Sequence, residues 1–159
     1  MTHVIDVMIE DTRWSDLERL ALLAVPAALE GLTGCEVAVL GCDDARIAAL
    51  NGDFRGKSTP TNVLSWPSEA RHPDTAPTDP DLGDIAISYD TCRREAAAQG
   101  KTVEAHAIHL LVHSTLHLLG HDHETDPEAE RMEAEERRIV TALGFPDPYM
   151  DATMECGGG

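Results

Sequence analysis

The chain has 159 residues, 42% of them hydrophobic and only 4% aromatic, and its 29 acidic against 12 basic side chains give a formal net charge of −17. That length suits one domain with a single, mainly aliphatic core. The acidity argues against binding nucleic acid through a general basic footprint, and the shortage of rings argues against an aromatic ladder for stacking bases.

The N-terminal MTHVIDVMIED carries acids where a signal peptide has positive charge, and no stretch reaches the ~20 apolar residues of a membrane span. A cytoplasmic location without membrane contact is the expectation. VIDVMIE (4–10) reads as a strand, and Ser15 with Glu18 gives a capping-box pattern opening a Leu/Ala-rich helix that Pro26 should end or kink. EVAVL (36–40) reads as a buried strand, after which Asp43 or Asp44 caps a short helix through Leu50. NVLSW (62–66) and DIAIS (84–88) are short strands on either side of a polar, proline-bearing loop, 68–81. Tyr89 to Gly100 is helical, and residues 103–119 form the strongest helix. There Ile108, Leu110, Leu111, Val112, Leu116, Leu118 and Leu119 wrap almost all round, as in a helix buried among neighbours. Asp126 and Pro127 start a last helix with an apolar stripe of Met132, Ile139, Val140 and Leu143, and Gly144 with Pro146 stops it. Residues 150–159 read as a flexible tail. Cys35, Cys42, Cys92 and Cys156 form no CxxC pair and read as free packing thiols. Together these elements predict one α+β domain over residues 1–159, with a sheet of about four strands packed against helices and the 103–119 helix central.

Within that helix and just beyond it, HSTLHLLGHDH (113–123) spaces His113, His117 and His123 at offsets of zero, four and ten. Residues four apart on a helix share a face and lie about 6 Å apart along its axis, so His113 and His117 can address one ion. His121, still on a continued helix, would lie about 12 Å from His113, too far for bonds of about 2 Å to one ion. The chain must therefore turn back, and Gly120 is suited to a left-handed helix stop. His123 then approaches from a second direction. Three protein ligands leave one position open, the count typical of catalytic rather than structural zinc, and such an ion lowers the pKa of its water to about 7. His106 and His109 share the helical stripe and read as supporting or packing residues. The spacing also fits the long zinc-protease signature, but that chemistry needs glutamate after the first histidine, where this chain has Ser114, so a zinc metalloprotease is the weaker reading.

EAHAIHLLVHSTLHLLGHDH (104–123) resembles the metal-binding segment of the YbeY family, bacterial metal-dependent endoribonucleases also described as ribosomal RNA maturation factors. NGDFRGKSTPTNVLSWP (51–67), LGDIAIS (82–88) and ALGFPDPY (142–149) are similar to further segments of that family, in the same order. The pattern departs at Ser114, His121 and Trp66, where the family usually has glycine, tyrosine and phenylalanine; His121 thereby becomes a further candidate ligand. The resemblance implies a mixed sheet and a single-strand-specific endoribonuclease of ribosomal RNA. It also implies action at the 16S rRNA 3′ end and in ribosome quality control, with the small ribosomal subunit as partner. DNA is not an expected substrate. Zinc is the expected ion, although imidazole also suits other divalent transition metals. The family's functional arginine falls on Arg55, whose guanidinium can grip a phosphate through two parallel hydrogen bonds. Lys57 could add attraction. Water attack and attack by the ribose 2′-hydroxyl both fit, and Asp122 suits either orienting a ligand imidazole or stabilising the turn.

The charge sets a condition on this reading. Many acids crowd residues 122–136, and with a Debye length of about 8 Å they are largely screened from a distant cleft. Weak affinity for free RNA is expected, with engagement depending on local contacts or a ribosomal partner. The rival from another class is a non-catalytic, metal-stabilised ribosome assembly factor.

Overall fold

Residues 3–56 and 58–149 are described by a computed structural model, without the side chains of Phe54 and Arg55. Four strands, β1 (Val4–Ile9), β2 (Glu36–Cys42), β3 (Val63–Pro67) and β4 (Asp81–Ser88), form one sheet in the order β1-β2-β4-β3. The helices are α1 (Leu17–Ala28), α2 (Asp44–Arg55), α3 (Tyr89–Ala98), α4 (Val103–Leu118) and α5 (Asp126–Ala142). β2 is parallel to both β1 and β4, whereas β3 is antiparallel to β4. A parallel pair needs a long crossover, which α1 supplies between β1 and β2; the antiparallel pair is closed by the irregular segment 68–80. The sheet is therefore mixed and the class α+β, as expected. Among the described residues, no helix is long and apolar enough to cross a membrane.

Alternation along the strands sorts the core onto two faces. Val37, Val39, Ile85 and Ile87 join the main cluster with Leu17, Leu20 and Val25 of α1 and Ile108, Leu111 and Val112 of α4. Cys42, Leu64 and Ala86, from alternate positions, pack with Ile47 of α2 on the other face. α4 touches α1, α3, α5, β3 and β4, so it is the central helix on the face of the main cluster. Cys35, Cys42 and Cys92 are free, buried thiols, and burial pushes Cys42 and Cys92 up to about 12, which keeps them unreactive. Cys156 and the tail from residue 150 onward lie outside the described residues.

Several boundaries differ from the sequence expectation for identifiable reasons. Ser15 does not cap α1: it is the C-cap of a 3-10 turn at Thr12–Trp14 whose N-cap is Asp11, and α1 begins at Leu17 after Asp16. Trp14 is buried, and its Nε1 points at the carbonyls of Cys42 (3.2 Å) and Ile87 (3.1 Å), which pins residues 12–14 outside the helix. Pro26 lies inside α1, which stops two residues later. α2 continues past Leu50 to Arg55, ending at Gly56 in the left-handed region (φ +75°). At α5 the cap is Thr125, which forms a reciprocal capping box with Glu128.

Candidate functional site

The end of α4 is built by its own sequence. Gly120 adopts φ +104°, its N–H donates to the His117 carbonyl (3.0 Å), and the His121 N–H donates to that of Leu116 (3.1 Å). These two bonds make the helix stop known as the Schellman motif, and they reverse the chain toward His123. A side chain at Gly120 is doubly excluded. Its backbone conformation is costly for an L-residue, and a Cβ would stand 2.4 Å from the Arg71 carbonyl oxygen.

The reversal also orients a ring. His117 Nδ1 lies 2.9 Å from the carbonyl oxygen of His121, an acceptor only, so Nδ1 carries the proton and Nε2 presents a free lone pair. One turn earlier, His113 Nδ1 is 3.1 Å from Oε2 of Glu136, which fixes the same tautomer and frees the same atom. Two imidazoles on one helical face thus expose Nε2, as a metal requires. The His123 ring stacks beside that of His113, with centroids 5.9 Å apart and planes 26° from parallel. Among the described residues, however, no three His, Cys, Asp or Glu side chains form a ready-made metal cage. The donor chemistry of His113 and His117 fits a metal, and the stacked ring of His123 lies beside them.

His121 and Asp122 take other places. The His121 ring lines a separate cleft of about 360 Å³ with Asp74, Arg131 and Glu135, and burial, followed by Arg131, lowers its pKa. Asp122 accepts the backbone N–H of His123 through Oδ1 (2.8 Å), a turn-stabilising bond. Arg55 is the last residue of α2, and its side chain lies outside what the structure describes; Lys57 lies outside the described residues altogether.

Glu136 is the site residue that the sequence reading missed. It is 1% exposed, yet accepts from His109 Nε2 (2.5 Å), His113 Nδ1 (3.1 Å) and the Tyr149 hydroxyl (2.6 Å). Burial alone would raise its pKa, but the hydrogen bonds from His109, His113 and Tyr149 outweigh burial and hold the carboxyl at about 2. A signal was available: Glu136 falls four residues after Met132 and three before Ile139, an acid within an apolar stripe. His106, also on α4, is buried and pairs through Nε2 with Glu95 Oε1 (2.9 Å), which takes the Asn62 amide as well (3.0 Å). A polar cleft of about 360 Å³ beside His113 is lined by Asn62, Glu95, Lys101, His109 and Tyr149 among others.

A mixed-sheet α+β domain with a central histidine-bearing helix, braced by a buried glutamate, defines the class to which this protein belongs. The family model for endoribonuclease YbeY matches residues 4–144. An endoribonuclease YbeY of Paracoccus denitrificans is 57% identical over 157 residues, covering 92% of this chain and 90% of the relative. One from Dinoroseobacter shibae is 52% identical over 162 residues, covering 91% and 90%. A solution structure of a Thermotoga maritima protein shares the fold with a TM-score of 0.64, at 24% identity, over 92% of this chain and 99% of that one. The chain belongs to the endoribonuclease YbeY family.

Proposed function

We propose that this protein is a single-strand-specific endoribonuclease of ribosomal RNA, acting at the 16S rRNA 3′ end with zinc held by Nε2 of His113, His117 and His123. The observation that carries the reading is the matched tethering of two Nδ1 atoms, by Glu136 and by the His121 carbonyl, which leaves both Nε2 atoms available on one face. Family membership supplies the reaction class. When bound, zinc provides a Lewis acid for a phosphoryl oxygen and lowers the pKa of water. The chain's own residues do the rest. Burial of Leu116 and Leu118 around the helical ligands keeps α4 rigid, and Glu136 holds the His113 imidazole in one tautomer and orientation. Arg55, at the C-terminal end of α2, anchors the phosphodiester and offsets charge developing on it. The cytoplasm is the proposed location. The proposal includes action on the small ribosomal subunit and in ribosome quality control; at a net charge of −17 free RNA gains little from the surface, so engagement depends on local contacts or a ribosomal partner.

The test is cleavage of a single-stranded ribosomal RNA fragment by zinc-loaded wild type, by chelated protein, and by the His113→Ala and Arg55→Ala variants. Chelation and His113→Ala should each lower the rate by at least about 100-fold, and Arg55→Ala by about 10- to 100-fold. A 2′,3′-cyclic phosphate on the product assigns attack to the ribose hydroxyl, and a hydrolytic end assigns it to water. Undiminished cleavage by His113→Ala refutes the metal reading; ribosome binding retained without any cleavage points to the assembly-factor role.

A further inference from the structure

The segment that closes β3 onto β4 also grips the histidine site. Its Arg71 side chain is only 4% exposed. Nη1 donates to the carbonyls of Leu82 (3.0 Å) and Leu118 (3.3 Å), and Nη2 donates to Ser68 Oγ (2.8 Å) and the Asp81 carbonyl (3.2 Å). The Leu118 carbonyl is one of those left free at the C-terminal end of α4, where the helix dipole concentrates negative charge. A buried guanidinium there satisfies that acceptor and opposes the dipole. The carboxylate of Glu69 stands further off, at 3.7 Å, so carbonyls carry most of the cation's contacts.

Arg71 meets the reversal a second time through its backbone. Its carbonyl carbon and oxygen and the His72 Cα lie so close to Gly120 that a Cβ there would be 2.6, 2.4 and 2.8 Å from them. Two residues further on, Asp74 is bonded by Arg131 of α5 at 2.6 and 3.2 Å. The 68–80 segment is thus fixed to the end of α4, to the glycine after it and to α5. Those three anchor points surround the stretch from His117 to His123.

We propose that Arg71 is a positioning residue for the histidine site. By tying the α4 terminus and the Gly120 reversal to the start of β4, it sets how His123 meets the two helical imidazoles. Displacements of about 1 Å between ligands are enough to spoil a shared ion, so the grip is felt in metal affinity. The inference rests on the metal reading above.

Zinc is titrated into metal-free wild type, Arg71→Met, Arg71→Lys and His113→Ala, in competition with a chromophoric chelator, at a temperature where thermal melts show each protein folded. Arg71→Met keeps much of the apolar stem and removes every donor; its zinc affinity should fall about 10- to 100-fold, as for loss of other groups behind metal ligands. Arg71→Lys keeps the charge but cannot span four acceptors, and its affinity should fall severalfold. A purely structural arginine would lower the melting temperature of the metal-free protein and leave zinc affinity within about twofold of wild type, which overturns the proposal. Should Arg71→Met not fold, Arg71→Lys decides in the same way. If wild type binds zinc no more tightly than His113→Ala, the metal reading itself has failed and this inference falls with it.

Discussion

Glu136 shows how much one buried side chain can organise. Three donors converge on its two oxygens, His109 and Tyr149 on Oε1 and His113 on Oε2, so both oxygens of the carboxylate are engaged. Glu136→Gln keeps the shape but leaves one acceptor oxygen and adds two donors facing donors. The expected cost is about 1–3 kcal/mol of stability, read from urea unfolding of the metal-free protein. Zinc affinity should drop about 10- to 100-fold in the folded variant, because the His113 ring loses its tether. Wild-type zinc affinity in Glu136→Gln would show that His113 needs no carboxylate to stay in place. The same logic separates His121 from the proposed ligands: it lines a cleft with Asp74 and Arg131, so His121→Tyr should leave zinc affinity within about twofold of wild type.

At the scale of elements, α4 and its stop are the units that matter. Gly120→Ala places a methyl group on the Arg71 carbonyl at a positive φ, and a loss on the order of 2 kcal/mol or more is expected in denaturant titrations. A loss below about 0.5 kcal/mol would mean that the 68–80 segment moves aside freely. α4 also buries His106, and burial pushes its imidazole below the usual 6.5, partly offset by Glu95. The unfolded chain therefore takes up the proton before the folded one. Above pH 6.5 the contribution of His106 is fully present, and stability is lost as pH falls from 6.5 toward the lower folded value. His121 acts in the same direction. The urea midpoint of the metal-free protein should fall between pH 7 and 5.5, and the decline should be shallower in His106→Gln. An identical slope in the two proteins would exclude burial of His106 as its cause.

For the whole molecule, charge decides the mode of engagement. Exposed acids pair locally, as Asp16 and Glu104 do with Arg19 and Glu30 and Glu135 do with Arg138, and such surface pairs add little stability. At a net charge of −17 the surface offers RNA little general attraction, so under the proposed function binding falls to local contacts at the histidine site and Arg55. Filter binding of single-stranded RNA across a salt series should therefore give weak affinity and a shallow slope, on the order of one or two phosphate contacts. Tight binding that persists without metal would show a basic interface elsewhere.

What the sequence determined by itself is local. Strand alternation, the Asp43 cap and the i, i+4 histidines depend on neighbours within a few residues, and so does the left-handed glycine that ends α4. For that reason the four strands, the five helices and the reversal at Gly120 were legible. Tertiary structure decided the support of the site. Glu136 reaches His113 across 23 residues and Arg71 reaches Leu118 across 47; the helical period puts Glu136 on the apolar stripe of α5, but nothing local names the partner that either side chain meets. Burial fixes that partner: packing α5 against α4 encloses Glu136 while the side chains of Glu133 and Glu135 remain partly exposed, and closing the sheet with β3 lays Arg71 over the helix end.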